Sequence, residues 1–94
     1  MLATPFDQKE EADYESIPNL AAEAISSGCI GVVGLGVMGE TARLSDKERM
    51  KIAGIIIDPA DNLPITLGTS ASGTKAMIER SKEAEQMWAT AVMV

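Results

Sequence analysis

Short apolar runs alternate along this chain with segments in which apolar residues recur at helical spacing. Three of the runs are almost continuously apolar, which is typical of parallel strands covered on both faces; they are Cys29–Gly36, Ile65–Gly68 and Ala89–Val94. A shorter run, Leu2–Phe6, ends with Thr4 and Pro5, because proline cannot donate to a strand ladder. The pattern predicts the element order βαβαβαβ, either an α/β barrel or an open sheet.

The segment after the first run carries signals for both ends of a helix. This helix is predicted to begin near Ser16 or Ile17, with Pro18 in its opening turn, and to end at Gly28 as a glycine cap. Five apolar residues at helical spacing form a face that we expect to pack on the sheet: Ile17, Leu20, Ala21, Ala24 and Ile25.

The second helix begins at a capping box, in which Ser45 caps the helix and Glu48 bonds back to it. It is predicted to run from Asp46 to about Ile57, and Asp58-Pro59 ends it. The residues expected to face the core are Met50, Ala53, Ile56 and Ile57.

The third helix is predicted to start near Ser72, Gly73 and Thr74 and to continue to Trp88. One stripe along it consists of Met77, Ser81, Ala84 and Trp88.

Three glycines at the end of the second apolar run allow two different functions. Gly34, Gly36 and Gly39 spell G-x-G-x-x-G, which after a strand could bind a dinucleotide if a helix opened directly at the last glycine. The capping box instead starts the helix about six residues later. The same glycines therefore favour a strand-to-helix loop whose backbone amides bind a carboxylate.

Charge and composition exclude several other classes of function. The net charge is −6, with 8 Lys and Arg against 14 Asp and Glu, so we expect no nucleic-acid partner. No apolar stretch is long enough to span a bilayer and none has a signal-peptide pattern, so we expect no membrane partner and a cytoplasmic protein. With no histidine and only Cys29, which we expect to be buried, no metal site is predicted.

Four short motifs, in order, resemble the dihydrodipicolinate synthase and N-acetylneuraminate lyase family. They are Met1–Asp7 (MLATPFD), Leu35–Glu40 (LGVMGE), Leu44–Arg49 (LSDKER) and Ala91–Val94 (AVMV). The resemblance implies that residues 1–94 are one partial domain, the N-terminal half of a (β/α)8 TIM barrel. A complete barrel needs about 250 residues. We expect the chain to be truncated at both ends, because Met1–Ala3 is too short for a full first strand and Val94 lies inside an apolar run.

The resemblance also implies a lyase or aldolase that holds pyruvate, or another small 2-oxo acid, as a Schiff base on lysine without a cofactor. The backbone amides of Val37 and Met38 match the positions that bind the substrate carboxylate. Gly36 and Gly39 let the backbone approach closely, and Glu40 is expected to brace the loop by accepting backbone hydrogen bonds.

No catalytic residue is expected within this stretch. The Schiff-base lysine and the proton-carrying tyrosine of the family would lie beyond Val94, because the lysines here stand in polar surroundings and the only tyrosine, Tyr14, precedes the first helix. The expected partner is a second copy of the chain or the missing C-terminal half-barrel. A non-catalytic half-barrel acting by association, and an NAD-dependent oxidoreductase, remain as alternatives.

The chain departs from the family pattern at two places. Many members carry two threonines where this chain has Val37 and Met38, so the resemblance supports the broad pyruvate-dependent class better than dihydrodipicolinate synthesis itself. Trp88 replaces a usual glycine, and a tryptophan there either avoids the left-handed conformation or bears its strain.

Overall fold

A parallel three-stranded sheet with helices between its strands forms the centre of the molecule. The computed structural model describes residues 1–57 and 63–94. In chain order, the elements are α1 (Ile17–Ser26), β1 (Val32–Gly34), 3-10 turns at Val37–Gly39 and Thr41–Arg43, α2 (Asp46–Ile56), β2 (Ile65–Gly68), α3 (Thr74–Gln86) and β3 (Ala91–Met93). The strands lie in the order β1, β2, β3.

The sheet confirms the predicted α/β fold class of a partial barrel, with one helix between successive strands. In its register Val32 pairs with Ile65 and Leu67 pairs with Val92, and both pairings are parallel. Buried apolar side chains from strands and helices meet around β2 and include Val32, Leu35, Ile52, Ile65, Leu67 and Ala84.

The expected first strand is not part of this sheet in the described residues. Leu2 donates its amide to the Val33 carbonyl at 2.8 Å, so the N-terminal segment lies beside β1. The chain then folds back on itself, because Asp13 donates to the Pro5 carbonyl at 2.8 Å and Phe6 forms an isolated antiparallel bridge with Ala12.

Helix α1 has the predicted ends. Pro18 lies in its first turn and Gly28 follows it with φ of 106°, as expected of a glycine cap. The helix packs against α2, and its Ile17, Ala21 and Ala24 join the core that contains the sheet residues. Cys29 directly follows this turn and is exposed, so the expectation of a buried thiol was wrong.

Helix α2 begins at its capping box as predicted. The Glu48 amide donates to Ser45 Oγ at 3.2 Å, and the Ser45 amide donates to Glu48 Oε1 at 2.9 Å. The expected core position of Met50 was wrong, since this side chain is exposed. The buried face lies one residue away and consists of Arg49, Ile52, Ala53 and Ile56. The predicted end at Asp58-Pro59 lies outside the described residues.

Helix α3 stops two residues before its predicted end. Its C-terminal flank turns at Trp88, which has φ of 67° and a side chain 89% exposed. The ring therefore lies outside the buried stripe that the helical pattern predicted. Trp88 adopts the left-handed conformation, and no burial of its side chain offsets the strain.

Candidate functional site

The segment between β1 and α2 folds as two single 3-10 turns. Leu35 turns the chain out of β1 with φ of 58°, and Glu40 separates the two turns with φ of 55°. The segment was predicted as a loop; its first turn starts at Val37 but closes at Glu40 and does not continue into α2, which begins at Asp46. The helix needed for a dinucleotide site directly after Gly39 is therefore not formed.

Val37 and Met38 open the first 3-10 turn, with side chains 85% and 64% exposed. The turn is closed by the Gly39 amide, which donates to the Gly36 carbonyl at 3.0 Å, and by the Glu40 amide, which donates to the Val37 carbonyl at 3.0 Å. The amides of Val37 and Met38 precede these donors and are not used by the turn. The Met38 amide lies 3.5 Å from Met1 Sδ, which is only a weak acceptor.

Gly36 and Gly39 are both buried against the N-terminal segment. A Cβ atom at Gly36 would come within 2.6 Å of Met1 Sδ, and one at Gly39 would lie 3.3 Å from the Leu2 carbonyl oxygen and from Thr4 Oγ1. Each glycine therefore allows the loop to pack closely on residues 1–4. This packing role is additional to the expected role of the two glycines, which is to let the loop backbone approach a substrate closely.

Glu40 is held differently from the sequence expectation. Its carboxylate accepts a hydrogen bond from the Arg43 guanidinium at 2.6 Å and not from backbone amides. Glu40 is itself the left-handed residue between the two turns, and its ion pair with Arg43 spans the second turn. Glu40 therefore braces the loop through Arg43. This ion pair is largely exposed and contributes little stability by itself.

A buried arginine that the sequence analysis missed joins this loop to the end of β2. Arg49 Nε donates to Thr41 Oγ1 at 3.1 Å, and its Nη2 donates to the Gly68 carbonyl at 3.1 Å. Burial lowers the pKa of Arg49, as does Arg80 nearby, while Asp46 and Glu83 oppose the shift. Its place on the apolar stripe of α2 was the available signal, because residue 49 shares helical spacing with residues 52, 53 and 56.

A second arginine holds the loop after β2. Arg80 Nη1 donates to the Ser70 carbonyl at 2.6 Å, and its Nη2 lies 3.5 Å from Asp46 Oδ1. Between the two strand-end loops lies a cleft of about 620 Å³ whose lining includes Val37, Thr41, Arg43, Ser70 and Arg80.

The other polar side chains do not assemble a second centre. All five lysines are exposed in the structure. Lys51 Nζ lies 4.0 Å from the centre of the Tyr14 ring, a cation–π contact. Over residues 1–57 and 63–94, no group of three or more Cys, Asp or Glu side chains is arranged to hold a metal ion. No helix within those ranges has both the length and the apolar character needed to cross a bilayer.

Comparison with known proteins decides the family. The sequence model of the dihydrodipicolinate synthetase family matches residues 1–94. The chain belongs to this family. Similar proteins include the 4-hydroxy-tetrahydrodipicolinate synthases of Oceanobacillus iheyensis, 33% identical over 99% of this chain and 32% of that protein, and of Thermomicrobium roseum, 36% identical over 99% and 31%.

Solved structures of the family superimpose closely on the chain. Dihydrodipicolinate synthase from Bacillus anthracis has a TM-score of 0.92 at 28% identity, covering 99% of this chain and 32% of that one. The enzyme from Acinetobacter baumannii, solved in complex with pyruvate, has a TM-score of 0.91 at 32% identity, covering 97% and 32%. The chain thus spans about a third of these relatives and corresponds to the N-terminal portion of their TIM barrels.

Proposed function

We propose that this chain supplies the carboxylate-binding loop of a lyase or aldolase that acts on pyruvate, or on another small 2-oxo acid, through a Schiff base. The observation that carries this proposal is the pair of adjacent amides at Val37 and Met38, which the 3-10 turn leaves unused at the carboxyl end of β1. In barrel enzymes, active sites lie at this end of the strands.

Two successive amides suit a carboxylate, because each can donate to one of its oxygens in a charge-assisted hydrogen bond. The thioether of Met1, 3.5 Å from the Met38 amide, is a far weaker acceptor than a carboxylate oxygen and would be displaced. The pyruvate complex of the Acinetobacter baumannii relative supports this choice of ligand. Val37 and Met38 carry no hydroxyl group, so we assign the broad pyruvate-dependent class and leave the second substrate open.

The Schiff-base lysine and the proton-carrying tyrosine belong, in this proposal, to the remainder of the protein. A lysine that attacks a ketone must be a free amine, which requires desolvation or a neighbouring cation to lower its pKa. The five lysines of this chain are exposed, and Lys51 is engaged with Tyr14. The chain therefore contributes binding and not the covalent step.

Borohydride trapping with pyruvate tests the proposal. The Schiff base forms between the lysine amine and the ketone carbon with loss of water, and borohydride reduces the C=N bond to a stable amine. We expect the protein that carries this chain at full length to gain one adduct by mass spectrometry, and the isolated 94-residue chain to gain none. An adduct on the isolated chain, or none on the full-length protein, would contradict the proposal.

A non-catalytic half-barrel that acts by association is the second candidate. The observation in its favour is β3, which pairs only with β2 in the described sheet and has side chains exposed at Val92, Met93 and Val94. An NAD-dependent activity has less support, because α2 begins six residues after the glycine motif and opens with Asp46 and Glu48, which repel a pyrophosphate.

A further inference from the structure

One buried side chain joins the loop between β1 and α2 to the end of β2. Arg49 is only 4% exposed, and its guanidinium donates to Thr41 Oγ1 and to the Gly68 carbonyl, each at 3.1 Å. Thr41 is the first residue of the second 3-10 turn, whereas Gly68 is the last residue of β2. The two acceptors belong to different strand-end segments, and the arginine joins them by hydrogen bonds.

The contact with Thr41 holds the C-terminal end of the candidate loop. Thr41 follows Glu40, whose amide closes the first turn on the Val37 carbonyl at 3.0 Å. Fixing the Thr41 side chain therefore fixes the peptide that ends the turn. Glu40 adopts a left-handed conformation, which costs free energy and persists only where neighbouring contacts enforce it.

The second acceptor, Gly68, packs against the N-terminal end of the same loop. A Cβ atom at Gly68 would overlap the Leu35 carbonyl and lie 3.2 Å from the Gly36 Cα atom. The backbone of Gly68 thus packs directly on the two residues that lead into the turn. Leu35, also left-handed, is buried in this packing.

The planar fork of arginine is what allows one side chain to serve both acceptors. Lysine would keep the positive charge, but its single ammonium could not reach both oxygens in the same geometry. Asp46 Oδ1 lies 3.9 Å from Arg49 Nη1 and 3.5 Å from Arg80 Nη2, so the buried charge is partly balanced. Arg80 grips Ser70 in the neighbouring loop and provides a matched comparison.

We propose that Arg49 is a positioning residue that sets the direction of the Val37 and Met38 amides, by holding Thr41 at one end of their loop and Gly68, which packs on the other end. The inference depends on the proposed function for the identity of the ligand, which is the carboxylate of a 2-oxo acid. The geometric part, that Arg49 and Thr41 keep the turn closed, can be measured without any ligand.

The test uses Thr41→Val, Arg49→Lys and two controls in the protein that carries this chain. Thr41→Val removes the hydroxyl acceptor with little change of shape, while the control Thr41→Ser retains it. The second control, Arg80→Gln, removes the arginine that holds Ser70. Two quantities are measured for each variant: hydrogen exchange of the Gly39 and Glu40 amides without pyruvate, and the pyruvate concentration that gives half-maximal borohydride trapping.

We expect Thr41→Val and Arg49→Lys to speed exchange of these two amides, and to raise the half-saturating pyruvate concentration, by about threefold to tenfold. The maximal extent of trapping and the thermal midpoint of Thr41→Val should change little. Thr41→Ser and Arg80→Gln should leave exchange of Gly39 and Glu40 at the wild-type rate.

Three results would overturn this inference, and a fourth separates it from the proposed function. Unchanged exchange in both Thr41→Val and Arg49→Lys would overturn the inference, as would faster exchange with unchanged pyruvate binding. Wild-type exchange and wild-type pyruvate binding in Arg49→Lys would also overturn it, because a positive charge at residue 49 would then be sufficient. If the variants exchange faster but the wild-type protein traps no pyruvate, the positioning role of Arg49 would stand and the proposed function would be rejected.

Discussion

At the residue scale, the candidate site depends on places where two backbones meet with no space for a side chain. Gly68 lies against the Leu35 carbonyl. Any residue with a Cβ atom at position 68 would prevent β2 and the loop after β1 from approaching so closely. Leu35 and Glu40 both take left-handed conformations, which cost free energy in residues other than glycine. These strained positions flank the proposed carboxylate-binding amides.

Alanine at two glycines should therefore change stability in opposite directions. Gly68→Ala places a Cβ atom on the Leu35 carbonyl and should lower the free energy of unfolding by about 1–3 kcal/mol, the usual range for overpacking. Gly54→Ala, inside α2, meets only Met87 Cε at 3.8 Å and should raise it by about 0.5–1 kcal/mol through helix propensity. Urea unfolding of the two variants measures both effects. Equal effects would show that the close approach at Gly68 is not present in solution.

At the scale of elements, the sequence predicted those helix ends that depend on local chemistry. The capping box at Ser45 and Glu48 and the glycine cap at Gly28 lie where expected, because their hydrogen bonds and φ values involve neighbouring residues. Packing between distant parts of the chain could not be predicted from such local signals. Nothing local shows that α1 packs on α2, and the place of Arg49 on the apolar stripe of α2 does not reveal which groups its guanidinium binds.

The same distinction between local and long-range contacts applies to the candidate site. Resemblance located the loop from Gly36 to Glu40, and the bond from Glu40 to Arg43 follows from their spacing of three residues. The contacts of Arg49 with Thr41 and Gly68 join distant parts of the chain. Such partners depend on how β2 packs beside the loop, which a single sequence does not reveal.

The end of helix α3 offers a prediction about Trp88. Its φ is 67° and its side chain is 89% exposed, so the strain of the left-handed conformation is not repaid by burial. Trp88→Gly should be more stable than Trp88→Ala by about 1 kcal/mol, since both remove the ring but only glycine removes the Cβ penalty. Thermal or urea midpoints of the two variants, with the wild type alongside, measure the difference. Equal midpoints would contradict a left-handed residue 88.

At the scale of the whole molecule, the described residues form a sheet in which the outer edge of β3 is open. The strand β3 pairs only with β2 in the described sheet, and its apolar side chains are partly exposed. A closed barrel has no free strand edge, whereas part of one leaves amides and carbonyls that can pair with another chain. The edge of β3 is therefore open to pairing with another strand.

The isolated chain should therefore associate. We expect sedimentation at micromolar concentration to show dimers or larger species, because Ala91–Val94 forms an uncharged apolar end without proline. Val92→Lys, which places a charge on β3, should shift the distribution towards monomer, whereas Lys75→Gln on exposed α3 should not. A compact wild-type monomer that unfolds cooperatively would mean that the strands cover their own edges.

A crystal structure of the protein that carries this chain, with pyruvate bound, tests the central claim most directly. We expect the two carboxylate oxygens to lie about 2.7–3.2 Å from the amide nitrogens of Val37 and Met38. The Met1 side chain should have moved away from the Met38 amide, and the ketone carbon should be joined to a lysine beyond Val94. A carboxylate bound elsewhere, with the amides of Val37 and Met38 still unused, would contradict it.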